Sequence, residues 1–379
     1  MPAPKVNTGA SIGPQLDCIA ILGLGLMGGS LGMACLQRGL VEEVAGYDLD
    51  PHTMARALER GAITRTAPNP RDAVAGAGIV FIATPVSAIV STFGEALPAI
   101  PVGALVTDVG STKTEVVEEV SRLTPSTVEF IGGHPIAGSE RQGIEAASAD
   151  LYDGCLWILT PTQETSTAAY QRLMRFLSGL GARVLSLDPA RHDEALALTS
   201  HLPQLVSSTL MRFAADVAAD GDGLPLLTAG GFRDMTRIAA SSEEMWIDIV
   251  KQNRPALLNL MRKFQAAFDS AARALAQGDW DSLRESLASA RRARNALPGK
   301  VGIEPSEMVE VLVPVPDRPG VLAEVTTTVG EAGVNIEDLD IVHSAEGGRG
   351  VIHLSVRGRS SAEIALRAIE KKGFKAELS

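Results

Sequence analysis

His134 is flanked in a way that suggests chemistry. It stands in Gly132–Glu140, GGHPIAGSE, directly after the apolar run Val128–Ile131. That run reads as a strand, so His134 is expected in a glycine-rich loop just past a strand end. A neutral imidazole near pH 7 is matched to take a proton from a hydroxyl, an effect worth ~10²–10⁴ in rate. Ser111, in Asp108–Lys113 (DVGSTK), sits at a strand–helix junction where its hydroxyl could orient that imidazole. Thr112 with Glu115 would equally make a capping box of purely structural purpose. Arg233 and Arg237, in GGFRDMTR from Gly230, are spaced to share one helical face and could clamp a carboxylate. Arg191-His192-Asp193 and Ser200-His201-Leu-Pro-Gln204 lie on either side of a short helical stretch. Pro203 predicts a kink there that turns polar side chains into a cleft, although His192 with Asp193 also fits a helix cap. Neither His192 nor His201 has a metal-ligand spacing with a partner, so no metal is expected.

These groups need a scaffold, and the chain opens with one. Gly23-Leu-Gly25-Leu26-Met27-Gly28 is a GxGxxG pattern between the strand Ile19–Leu22 and a helix over Gly28–Arg38. The first glycine makes the turn, the second lets backbone approach a pyrophosphate, and the third allows tight helix–strand packing. The helix N-terminus then offers free N–H groups to the phosphates. Asp48 ends the second strand, Val44–Tyr47, where an acid would bind ribose hydroxyls and repel a 2′-phosphate. NAD is therefore favoured over NADP, with a helix cap as the alternative use of Asp48. Thr84 and Pro85, after the strand Ile79–Ala83, either line the cofactor groove or form an ordinary turn. A base beside a nicotinamide suggests alcohol or enol oxidation.

Short strands and helices alternate as far as Arg183–Ser186, which predicts a doubly wound parallel sheet over residues 17–187. From about Asp188 the period becomes helical, over Glu194–Thr199, Leu205–Ala219, Glu243–Phe268, Phe268–Ala276 and Asp279–Ala296. A helical domain over 188–298 is long enough for an intertwined dimer core. Residues 299–307 read as a linker, and 308–379 as β-α-β-β-α-β with helices over Gly320–Ala332 and Ala362–Lys371. Residues 1–16 are expected to be a flexible N-terminus. The formal net charge of −11 argues against nucleic acid and anionic membranes, so an anionic substrate must be held by local arginines. The three cysteines, widely spaced and without CxxC, fit reduced thiols in the cytoplasm. The glycine-rich run Cys18–Cys35 follows Asp17 and lacks a basic flank, so a membrane segment is not expected.

The constellation resembles the prephenate/arogenate dehydrogenase family of tyrosine biosynthesis. The resemblance covers about residues 17–298 and is carried by GLGLMGGSL from Gly23, DVGSTK from Asp108, GGHPIAGSE from Gly132, SHLP from Ser200 and GGFRDMTRIA from Gly230. Glu244–Asp248 (EMWID) followed by Asn253 also fits. It implies a Rossmann domain, an all-α dimerisation domain, NAD as cofactor and a homodimer. It implies oxidative decarboxylation of prephenate to 4-hydroxyphenylpyruvate, or of arogenate to tyrosine. His134 would be the catalytic histidine, Ser111 its orienting partner and Arg237 the substrate carboxylate anchor, with His201 and Glu140 bordering the cleft. One departure is Gln204, where the family often has a histidine. The uncharged amide alters the contact to the substrate side chain and favours acceptance of arogenate. No helix-bundle pattern precedes Gly23, so a fused mutase is not expected.

The tail resembles the ACT regulatory domain, through Val315–Ala323 (VPDRPGVLA) and Gly333–Ile336 (GVNI). That resemblance implies a ferredoxin-like α+β fold and an amino-acid effector, here tyrosine, contacted by Asp317, Gly320 and Asn335. A purely dimer-promoting tail is the alternative. A β-hydroxyacid dehydrogenase or imine reductase would bring a lysine base from the helical domain, for which no motif is present. Phosphoglycerate dehydrogenase would place its dinucleotide motif mid-chain. A non-catalytic sensor of NAD and an amino acid would not need Ser111, His134 and Arg237 together.

Overall fold

The computed structural model describes residues 16–137, 141–218, 230–297, 308–316, 318–343 and 349–378. The expected flexible N-terminus, apart from Leu16, and the expected 299–307 linker lie outside the described residues, as do Glu140 and Asp317. The chain divides into two compact units between Phe268 and Asp269.

The first unit is built on one eight-stranded sheet. Its strands are β1 (Leu16–Leu22), β2 (Val41–Tyr47), β3 (Arg65–Thr66), β4 (Ile79–Ile82), β5 (Leu105–Asp108), β6 (Glu129–Ile136), β7 (Leu156–Thr160) and β8 (Arg183–Ser186), in the order β3-β2-β1-β4-β5-β6-β7-β8. The pairings from β3 to β6 are all parallel, in the doubly wound dinucleotide-binding order. The β6–β7 pairing is antiparallel, which corrects the expectation of a wholly parallel sheet. Between those strands the chain has a short 3₁₀ turn, Ile144–Ala146, in place of the crossover helix that parallel neighbours need.

Alternate residues of the central strands enter different layers. Ile19, Ile21, Phe81 and Trp157 are buried in one, and Ala20, Leu22, Val80 and Val106 in the other. Burial on both faces is why these strands read as unbroken apolar runs. Helices α1 (Leu26–Gln37), α2 (Pro51–Glu59), α3 (Pro70–Val74), α4 (Val86–Ala96), α5 (Thr114–Leu123) and α6 (Thr167–Gly179) alternate with the strands. Of these, α3 and α4 were not expected from sequence; α4 (VSAIVSTFGEA) is rich in β-branched residues and carries Gly94, both poor helix signals.

After β8 the described chain is helical to residue 297: α7 (Pro189–Leu196), a π turn at Ala197–His201, α8 (Leu202–Ala218), α9 (Gly230–Thr236), a 3₁₀ turn at Arg237–Ala240, α10 (Glu243–Gln252), α11 (Arg254–Gln277) and α12 (Trp280–Asn295). The division between the two units falls within α11. The helix runs on without a break through the π turn into α8, and the π turn lies directly before Pro203, whose missing N–H interrupts the regular series of helical hydrogen bonds. The expected helix Glu243–Phe268 is instead broken at Asn253 (φ −102°, ψ 22°), and Pro255 sits in the first turn of the next helix. No break occurs at Phe268.

The C-terminal part of the second unit follows the expected order: β9 (Met308–Pro316), α13 (Val321–Glu331), β10 (Ile336–His343), β11 (Arg349–Arg357), α14 (Arg359–Lys371) and β12 (Glu377–Leu378). The sheet order is β10-β11-β9-β12, antiparallel throughout. Val311, Val313 and Val315 alternate into a core with Val325, Val329 and Ile369. Among the described residues no helix is long and apolar enough to cross a membrane.

Candidate active site

The glycines of the β1–α1 loop divide their work as the spacing predicts. Gly23 has φ +97°, and a Cβ there would stand 2.5 Å from Ala83 O. A Cβ on Gly28 would lie 1.9 Å from Gly23 O, so only glycine lets α1 sit this close to the loop. A Cβ on Gly25 would meet no atom of the described residues within 4 Å. That open space beside the helix N-terminus is what a pyrophosphate requires. The first turn of α1, with Leu26 and Met27, has no side-chain cap, and Met27 O accepts a 2.7 Å hydrogen bond from the buried Tyr152 hydroxyl. Asp48 does not cap α2; Asp50 does, accepting from His52 N and Thr53 N. Asp48 instead accepts from Leu24 N at 2.8 Å, which holds a carboxylate beside the loop, at the end of β2. Thr84 and Pro85 follow β4 beside Gly23, and Thr84 Oγ1 is buried without a partner among the described residues. These residues fit NAD: an open glycine, an uncapped helix N-terminus and an acid at the ribose position.

His134 lies inside β6 rather than in a loop. β5 ends at Asp108, with Thr107 in register with Ile131, but β6 runs on as Gly132–Ile136, paired antiparallel with β7. The extension leaves β6 without its β5 partner on one edge. Gly133 shows how that edge is satisfied. Its N–H donates to Asp108 Oδ1 at 3.0 Å, and its carbonyl accepts from Lys113 Nζ at 2.9 Å. Lys113 also forms an ion pair with Asp108, and both side chains are completely buried. His134 thus projects past the carboxyl end of β5, where ligands of such sheets bind.

Its neighbour is a second imidazole. His134 Nδ1 lies 2.8 Å from His192 Nε2, and His192 Nδ1 lies 2.8 Å from Asp193 Oδ1. Among the described residues no hydrogen bond joins Ser111 to His134; His192 occupies the position expected of that hydroxyl. The predicted capping box does not form either. α5 begins at Thr114, and its N-terminus is capped from α7, with Lys113 N and Thr114 N donating to Asp193 at 2.8 Å each. Thr112 is buried and its hydroxyl donates to Gln252 Oε1 at 3.4 Å. Burial, then the charges of His192, Lys113 and His201, hold the His134 pKa well below 6.5. The ring is neutral at neutral pH, as a base must be. Asp193 is pushed up by burial, but hydrogen bonds from His192, Thr114 and Lys113 outweigh this and lower it.

The π turn buries His201, which accepts from Asn253 Nδ2 at 3.1 Å and meets the Trp246 ring edge-on. Asn253 Nδ2 also donates to Asp193 O at 2.8 Å, tying the end of α10 to α7. Burial depresses His201 to about 4, with Asp193 opposing. Gln204 is buried and its Nε2 donates to Ile238 O at 3.0 Å, next to Arg237; its Oε1 has no partner among the described residues. Arg233 and Arg237 are exposed, and they do not share one α-helix, because α9 ends at Thr236 and a 3₁₀ turn starts at Arg237. Asp248 caps the otherwise uncapped α4, accepting from Ser87 N at 3.1 Å. In the C-terminal sheet domain, Gly320 (φ +86°) caps the start of α13 and Asn335 follows its end, bonded to Glu337. Eleven residues of helix, roughly 16 Å, separate them, so one domain does not join them into a site. Lys113, Asp108, Asn253 and Asp248 were given no role of their own in the sequence, and His192 and Asp193 only one in the cleft or as a cap. The adjacency of His192 and Asp193 was the one signal available.

Known sequences and structures match this arrangement. Residues 31–186 match "Prephenate dehydrogenase, nucleotide-binding domain", 188–289 "Prephenate dehydrogenase, dimerization domain" and 309–374 "ACT domain". The prephenate dehydrogenase of Bacillus subtilis is 32% identical over 94% of this chain and 96% of its own length. Synechocystis arogenate dehydrogenase superposes with a TM-score of 0.64 at 32% identity, covering 73% of this chain and 99% of that one. Prephenate dehydrogenase from A. aeolicus, solved with hydroxyphenyl propionate and NAD+, gives a TM-score of 0.67 at 28% identity, covering 73% and 97%. With its dinucleotide loop, buried histidine and C-terminal ACT domain, the chain belongs to the prephenate dehydrogenase family of NAD-dependent oxidoreductases.

Proposed function

We propose that this enzyme oxidises prephenate with loss of carbon dioxide, giving 4-hydroxyphenylpyruvate for tyrosine synthesis. The observation that carries this reading is a neutral, buried His134 at the carboxyl end of β5, beyond the glycine loop. NAD, when bound, supplies the hydride acceptor. His134 takes the proton of the ring hydroxyl, so that the oxygen becomes a carbonyl as the hydride departs. The ring then carries a carbonyl conjugated to the carbon that bears the carboxylate. Carbon dioxide leaves, its electron pair flows through the ring, and a phenol results. Aromatisation makes the step essentially irreversible, so the chain has only to orient, deprotonate and hold charge. Arg237, with Arg233, anchors the substrate carboxylate through charge-assisted hydrogen bonds. His201 and Gln204 border the cleft, with Ser111 at its β5 edge.

A second reading, arogenate to tyrosine, is favoured by Gln204. Its buried Oε1 lacks a partner among the described residues, and the ammonium of a zwitterionic side chain would supply one. NADH formation with prephenate and arogenate in parallel tests both. Prephenate turnover is expected; faster arogenate turnover would move the assignment, and none with either would overturn it.

We further propose a homodimer. Phe213, Met235, Ile247, Phe264 and Phe268 are exposed in the single chain, an apolar surface that a second copy would cover. Residues 188–298 would form this dimerisation domain. In the same reading, tyrosine binds between ACT domains of two copies, near Gly320 of one and Asn335 of the other, and inhibits. Loss of the tyrosine effect on deleting residues after Pro298 is expected; its persistence would place inhibition elsewhere. The unpaired thiols of Cys18, Cys35 and Cys155 support a cytoplasmic setting.

A further inference from the structure

His192 is completely buried between two groups that a solitary general base would not require. A carboxylate only accepts hydrogen bonds, so the contact to Asp193 Oδ1 puts the hydrogen of His192 on Nδ1. In the uncharged ring Nε2 is then an acceptor. With His192 uncharged, His134 Nδ1, 2.8 Å away, is the donor. That leaves the lone pair of His134 on Nε2. Asp193 is itself immobilised, by the N–H groups of Lys113 and Thr114 on its carboxylate and by Asn253 on its carbonyl. A rigid series therefore runs from the N-terminus of α5 through Asp193 and His192 to His134.

We propose that His192, held by Asp193, is a positioning residue that fixes His134 with Nε2 as the base and receives the Nδ1 proton of His134 as Nε2 gains one. This rests on the reading of His134 as the general base. The substrate O–H bond breaks, its electron pair stays on oxygen, and the proton bonds to His134 Nε2. The His134 Nδ1–H bond breaks, and that proton bonds to His192 Nε2. The result is an uncharged His134 and an imidazolium at His192. The charged and titratable groups facing the two rings give the reason. A cation on His134 faces the ammonium of Lys113, already paired with Asp108, whereas the His201 ring faces both imidazoles alike. A cation on His192 lies against the Asp193 carboxylate. Transfer moves the charge toward its counter-ion.

The test combines ¹⁵N NMR of the imidazoles in the NAD-bound enzyme with steady-state kinetics and Tm. Wild type, His192→Leu, His192→Gln and His134→Asn are compared. In wild type His134 should be the Nδ1–H tautomer. His192→Leu should lose that tautomer preference and lower kcat by about 100-fold, with KM within about threefold and Tm and NAD affinity retained. His192→Gln can accept from Nδ1–H but cannot take a proton. It should keep the tautomer and still lose kcat, by about tenfold. If His192→Leu does not fold, His192→Gln decides. An Nε2–H tautomer in wild type overturns the proposal, as does unchanged kcat in a folded His192→Leu. A His192→Gln enzyme as fast as wild type overturns the proton uptake. Wild-type kcat in His134→Asn would instead overturn the base assignment itself.

Discussion

The backbone N–H of Gly133 donates to Asp108 at 3.0 Å, and this bond anchors β6 one residue before His134. Lys113 completes the clamp from the Gly133 carbonyl. Lys113→Met would leave the Asp108 carboxylate buried without its counter-charge, a change that typically costs about 3–5 kcal/mol. Urea unfolding should register that loss, and Asp108→Asn in the same chain should restore part of it. Equal stability of Lys113→Met and wild type would mean that the pair does not hold the strand.

Gly25 and Gly28 should respond differently to alanine. Gly28→Ala forces a Cβ to 1.9 Å from Gly23 O, so the loop must rearrange and yield of folded protein should fall. Gly25→Ala meets no atom of the described residues, so Tm should hold while NAD affinity drops. A tenfold rise in Kd corresponds to about 1.4 kcal/mol. Calorimetric titration with NAD separates the two, and unaltered affinity in Gly25→Ala would mean that the pyrophosphate does not approach there.

Stability should depend on pH through His201. Its pKa is about 4 in the folded chain against 6.5 ordinarily, so between those values the unfolded chain binds the extra proton. The contribution is intact above pH 6.5 and is lost as pH falls toward 4, by about 3 kcal/mol in all. His201→Gln should flatten unfolding free energy over that window. An unchanged slope would show that His201 is not the group responsible.

Kinetic roles should separate along the cleft. His134→Asn is expected to lower kcat by ~10²–10⁴ with little change in substrate KM. Arg237→Gln should raise KM, since in its proposed role the exposed arginine would give the substrate carboxylate charge-assisted hydrogen bonds worth roughly 1.5–3 kcal/mol. The reverse pattern in steady-state kinetics would exchange the two assignments.

Much of this protein could be read along the chain. The dinucleotide loop was legible because its demands are local: Gly23 needs a positive φ, Gly28 needs a missing Cβ, and Asp48 ends the next strand. The ACT domain was legible because the Val311, Val313, Val315 alternation is itself the core face of β9. His134 stood out by composition, although its secondary structure did not. Whether a strand stops at Ile131 or continues to Ile136 depends on β7, whose pairing turns the expected loop into an extension. What lies beside His134 was not legible at all. His192 is 58 positions away, and Asp193 caps α5 from 79 and 80 positions away. A capping box at Thr112 satisfies every local rule, yet a carboxylate from α7 takes those N–H groups instead. Local periodicity and turn chemistry specify elements and their inward faces. Which polar side chains meet across those faces is decided only when the elements pack, because each buried donor then needs whichever acceptor the tertiary structure brings to it.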